Sequence, residues 1–232
     1  MTLADKNPGA RYVGMLLLVS LVAILTSAAV VVPSGLSLNP ADPAAALTAV
    51  HDHVGLHLNE LAFDVLGWLA LTAAGLVLAG NPGTVIRPHL AVPAGGLLAA
   101  AGLAGLLHDA GNLAVTQLAA EPVGASAEVA GAVLLTAKWG VNLAGLLWVA
   151  ATAVTAAGAH LPGRLRRAGG FAALAGLAAV VVPWTTGTHG MSPTLEQLGY
   201  ALQLPVMIWY GVVGWRLLVT GSRRVSRRPR RR

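Results

Sequence analysis

Six stretches of this chain are apolar for long enough to cross a lipid bilayer, and few folds accommodate that. A helix spanning the hydrocarbon core needs about 20 mostly apolar residues. The runs fall at 12–32, 57–80, 90–118, 129–158, 169–183 and 195–219. The second ends at the turn signal Asn81-Pro82-Gly83. Pro93 sits near the start of the third, where a helix tolerates it, and Pro205 predicts a kink in the sixth. The connections are short. The pattern therefore predicts an all-α integral membrane protein, a six-transmembrane-helix bundle over 12–220. Residues 1–11 precede it, and a polybasic tail expected to be disordered, 221–232, follows. Only 10% of residues are charged and 56% are hydrophobic, against about a quarter charged in a soluble domain. The net charge of +6 does not indicate nucleic acid, because a binder of that kind needs a solvated basic face. The absence of cysteine excludes disulfides, thiolate metal sites and cysteine nucleophiles.

The first run exceeds the 7–15 residues of a signal core and follows the acidic Asp5, so it reads as a retained span rather than one cleaved near Ala28-Ala29. Charge placement then predicts orientation. Lys6 and Arg11, Arg87, the trio Arg164, Arg166 and Arg167, and Arg216 with the tail from Arg223 to Arg232 all fall on one side. The three other connections carry no Lys or Arg. Both termini are expected in the cytoplasm of a cell-membrane protein. Of the 15 Lys and Arg only Lys138 departs from the cytoplasmic side, and of the 9 acids only Asp5 lies on it. The tail is expected to attract anionic lipid headgroups at about 1 kcal/mol per charge. Small residues four apart, Gly96/Ala100, Ala101/Gly105, Gly169/Ala173 and Ala172/Gly176, suit close helix packing.

Ionisable residues within spans are functional candidates because they are costly in hydrocarbon. His53, His57, Glu60 and Asp64 form one helical stripe, continued by Trp68, Leu71 and Gly75. The third span offers His108, Asp109 and Asn112, the fourth Lys138 and Asn142, and the sixth Glu196, Tyr200, Gln203 and Tyr210. His189 lies in the preceding loop. The length count places all of them in the extracytoplasmic half, above cytoplasmic halves of Ala, Leu, Val and Gly. That clustering predicts a shallow pocket facing out.

Two chemistries suit such a pocket. Imidazoles and carboxylates ligate transition metals. On this reading His53 and His57 hold a divalent metal or a haem from one helix turn, with His51-Asp52-His53 as an alternative chelate. His108, Asp109, Asn112, Asn142 and His189 line the ligand side. In acid–base chemistry, Asp64, Glu60 and Lys138 would be the catalytic groups, with Lys138 paired to Asp64, Glu60 or Asp109. A membrane protein that binds a metal or small ligand, with catalysis at the same pocket as an added reading, is the leading expectation. A small proton-coupled transporter and an accessory subunit of a larger complex are the alternatives.

Overall fold

A computed structural model describes residues 8–34, 36, 38–83, 85–120, 125–187 and 192–223. It is all-helical: α1 Pro8–Ser34, α2 Pro43–Asp52, α3 Val54–Gly80, α4 Pro88–Leu118, α5 Ala125–Gly158, α6 Gly163–Trp184 and α7 Pro193–Arg223. Six of these, all but α2, are long and apolar enough to cross a membrane. They pack pairwise in the order α1–α3–α4–α5–α6–α7 and back to α1, a closed ring. One end of the ring gathers Asp42, Glu60, Asp109, Glu128 and Glu196, and is called the acidic end below. The other gathers Arg87, Arg164, Arg166, Arg167 and Arg216 and is called the basic end.

Two elements differ from the sequence reading. The fifth span begins six residues earlier than its apolar run, at Gly163, and so includes three arginines. Arg166 turns back along the bundle and donates to the carbonyls of Ala156 and Ala157 at 3.1 and 3.2 Å, which satisfies carbonyls at the end of α5. The second difference is α2, a short helix between the first two spans that the apolar pattern does not predict. Asp42 caps it by accepting from the Ala45 N–H at 3.0 Å, and Pro43 supplies a pre-set first position. Its buried face, Ala46, Leu47 and Val50, packs on Val115, Ala119, Ala130 and Leu134 at the acidic end of α4 and α5. His51 Nδ1 donates to the Ala119 carbonyl at 2.9 Å and fixes the far end of α2 there.

Small residues set the ring's diameter. A Cβ at Gly75 would strike the backbone of Gly95 and Ala99, so α3 and α4 meet backbone to backbone. Gly105 lies under the indole of Trp68, and Gly169 under that of Trp209. The pair Gly96/Ala100 plays no such part, since Gly96 faces open space. Trp68, Trp148 and Tyr210 come from α3, α5 and α7, alternate members of the ring. Their rings nevertheless touch: Trp68 and Trp148 meet edge-on at 5.7 Å and Trp148 and Tyr210 at 6.1 Å. Helices that are not neighbours share side-chain contacts only through the ring's interior. This aromatic layer therefore fills the centre. Leu17, Leu71 and Met207 pack around it.

Polar groups are not confined to the acidic half. Ser20, Thr152, Thr155 and Tyr210 are buried at or beyond the aromatic layer. The Tyr210 hydroxyl faces Thr152 and Thr155. Hydroxyls of modest hydropathy hide well in an apolar run, which is why the sequence predicts nothing polar there and sets Tyr210 in the extracytoplasmic half.

Candidate cation site at the acidic end

The α3 stripe is the frame of the site. His57, Glu60, Asp64 and Trp68 follow one another at one-turn spacing and face α4, α1 and the ring's interior. His57 is fully buried and donates from Nε2 to the Asn112 carbonyl at 3.3 Å. Its Nδ1 faces Glu60 Oε2 at 3.5 Å. Ser27 of α1 donates to the other Glu60 oxygen at 3.0 Å. One turn deeper, the Trp68 indole N–H donates to Asp64 Oδ2 at 3.3 Å.

From α4, Asp109 projects against the Asp64 carboxyl. It is 1% exposed, and no group donates to either of its oxygens. A buried ionised carboxylate with no donor costs several kcal/mol, and a second carboxylate beside it adds repulsion. The pair therefore needs a shared proton or a cation. His108 completes the set. Its Nδ1 lies 2.9 Å from the Ala137 carbonyl and so carries the proton. Its Nε2 consequently bears the lone pair, which accepts from the Asn112 amide at 3.1 Å. An imidazole oriented through one nitrogen by a carbonyl is the form in which histidine ligates metals, and ligation here would require the Asn112 amide to swing off Nε2.

Among the described residues, Asp64, His108 and Asp109 are the one group of three donor side chains placed to share an ion. Their ligand atoms lie within 4.8 Å of one another. The Asn112 amide and the carbonyls of Asn112 and Ala137 orient the two imidazoles, and Trp68 orients Asp64. Asp109, His57 and Asn112 are buried, whereas Glu60 and Asp64 are half-buried. Glu60 and Asp64 are thus the more accessible carboxylates of the set.

Several expected site residues lie elsewhere. His53 does not join His57. It is the junction between α2 and α3, with φ −128° and ψ 36°, and that break in the helix takes it off the stripe and into the open. His51 and Asp52 are exposed at the same junction, and among the described residues they are not part of the group of three donors placed to share an ion. Lys138 does not pair with Asp64, Glu60 or Asp109. Its ammonium contacts Glu196, in the first turn of α7. Tyr200 donates to the same Glu196 oxygen at 2.9 Å. Asn142 belongs to an α5–α6 clasp. Its amide donates to the Val180 carbonyl at 3.0 Å and accepts from the Trp184 indole at 2.8 Å, which leaves it no role at the cluster. His189 lies outside the described residues. Ser27 was missed altogether, since a lone serine in an apolar run carries no signal of its partner.

No family model, curated protein or solved structure matches this chain. The functional reading therefore rests on the geometry alone.

Proposed function

We propose that this is a multi-pass cell-membrane protein that binds a divalent transition-metal ion between α3 and α4. Asp64, His108 and Asp109 would be the ligands, with the acidic end facing out of the cell. The buried Asp109 carboxyl, without a donor and set against Asp64 and His108, carries this reading. One imidazole and two carboxylates suit Mn²⁺, Fe²⁺, Co²⁺ or Zn²⁺ and lack the soft donors that select Cu(I). Glu60, fixed by Ser27 and His57, stands one turn nearer the acidic end, where it would attract the ion electrostatically. The arginines at the basic end support both termini being cytoplasmic. The tail 224–232, outside the described residues, would lie against anionic lipid.

The test is equilibrium dialysis of purified protein against Co²⁺ or Mn²⁺. One ion per chain is expected, lost in Asp109→Asn and in His108→Ala. Binding that survives both substitutions, or no binding to the wild-type chain, refutes the site. A Soret band that disappears with His57→Ala would instead support haem. A transport reading has one observation in its favour, the buried polar groups Ser20, Thr152 and Tyr210 on the far side of the site. Uptake of ⁵⁴Mn by proteoliposomes would decide it: accumulation supports transport, and binding without accumulation makes the site stationary.

A further inference from the structure

The two halves of α7 are held in very different ways. From Val206 to Gly214 the helix is deeply packed. Val206, Met207, Trp209, Tyr210 and Val213 are all buried. Gly14 and Gly214 bring α1 and α7 into backbone contact, and Gly211 abuts Leu21. From 194 to 205 no residue is buried. Every other long helix has buried residues in its acidic-end half, such as Ser27 in α1, His57 and Leu61 in α3, Asn112 in α4, Leu134 in α5 and Val180 in α6. Low burial is the physical content of local mobility.

Pro205 stands at the boundary between these halves. It cannot donate to the carbonyl one turn back, and that missing bond makes the boundary the weak point of the helix. Among the described residues, the acidic-end half meets α5 through the polar contact of Lys138 with Glu196, which Tyr200 supports. This contact joins α5 to α7 past the intervening α6. Tyr200 is 59% exposed, but its hydroxyl lies near enough to Asp64 and Glu60 for their charges to act on it. Lys138 is likewise within electrostatic reach of His108. The contact thus lies within electrostatic range of the cation-site residues.

We propose that residues 194–205 of α7 form a gate over the cation site, hinged at Pro205 and latched by the Lys138–Glu196 ion pair. The cargo in this proposal rests on the cation-site reading; the motion does not. An open latch admits the ion to Glu60 and then to Asp64, His108 and Asp109. A closed latch holds it against release.

The gate can be tested without metal. Because the chain contains no cysteine, Gln203→Cys gives a single thiol inside the gate. The full chain in nanodiscs is labelled with a charged maleimide. Lys138→Met and Glu196→Gln should each speed labelling about tenfold, the scale of one partly buried ion pair. The charge exchange Lys138→Glu with Glu196→Lys should restore the slow rate, which a misfolded variant could not do. Pro205→Ala placed on Lys138→Met should slow labelling again. Unchanged rates in both single variants, or a charge-exchanged protein as fast as the singles, would overturn the latch. An unchanged rate with Pro205→Ala would overturn the hinge. A second measurement follows Co²⁺ release into excess EDTA. Lys138→Met should release the ion about tenfold faster with affinity held within about threefold, since it opens the route without removing a ligand. Equal release rates would count against gating. A wild-type chain that binds no Co²⁺ refutes the cation site alone and leaves the labelling result to decide the gate.

Discussion

Replacing Asp109 with asparagine should stabilise the metal-free protein and abolish its stabilisation by metal. The wild-type carboxyl is 1% exposed and faces a second carboxyl with which it can share one proton, so that an oxygen of the buried pair still lacks a donor. Leaving a buried polar group unpaired costs roughly 1–3 kcal/mol. Asparagine is nearly isosteric, and its amide can donate to Asp64. A gain of about 1–2 kcal/mol is therefore expected, or roughly 2–8 °C in melting temperature for a chain of this length. The opposite change is expected when metal is present. An ion at about 100 times its dissociation constant stabilises the wild-type fold by about 2.7 kcal/mol, and the variant by nothing. Tryptophan fluorescence melts in detergent, with excess Mn²⁺ or with EDTA, give all four values. The wild type should melt higher with Mn²⁺ and the variant higher with EDTA than wild type with EDTA. If Asp109→Asn lowers the metal-free melting point, the carboxyl is a structural element and the reasoning fails. If the variant still gains from Mn²⁺, the ion binds elsewhere.

Other substitutions probe the frame around the site. Gly105→Ala sets a methyl against the Trp68 indole, and should cost about 1–3 kcal/mol by overpacking, measured as a lowered melting temperature. The same variant should weaken Co²⁺ binding, because a displaced Trp68 no longer orients Asp64. Asn142→Ala opens the α5–α6 clasp and should cost about 1 kcal/mol while leaving Co²⁺ affinity unchanged, read by melts and dialysis on one preparation. Asp42→Ala removes the cap of α2 at a cost of about 1 kcal/mol, and should raise hydrogen exchange at residues 43–50 before any other segment. Single cysteines near Glu128 and near Arg164 should be labelled from opposite faces of intact cells; labelling from one face would contradict the orientation.

The spans were legible because an uninterrupted apolar run has one main use. What interrupted a run was read less well. Arg164, Arg166 and Arg167 masked the first turn of α6, since sequence gives no sign that Arg166 would return to the carbonyls of α5. The ten residues of α2 carry too little apolar periodicity to stand out, and their cap and packing partners are what make the helix. At the site, the one-turn spacing of His57, Glu60 and Asp64 was readable, as was the grouping of His108, Asp109 and Asn112. Their meeting at the α3–α4 contact depends on Gly75 and Gly95, whose role appears only when two backbones touch. His53 failed because helical spacing was carried through a residue that ends one helix and starts another. Lys138 was assigned the wrong carboxylate because α5 and α7 meet only across the ring, a relation no local pattern encodes.

The central claim is that Asp64, His108 and Asp109 hold one metal ion. Anomalous diffraction from crystals of the full chain grown with Co²⁺ tests it most directly. A single strong peak between the three side chains, about 2.0–2.2 Å from His108 Nε2 and from an oxygen of each carboxylate, is the predicted result. A peak at His51 or His53, or none within reach of Asp109, would contradict it.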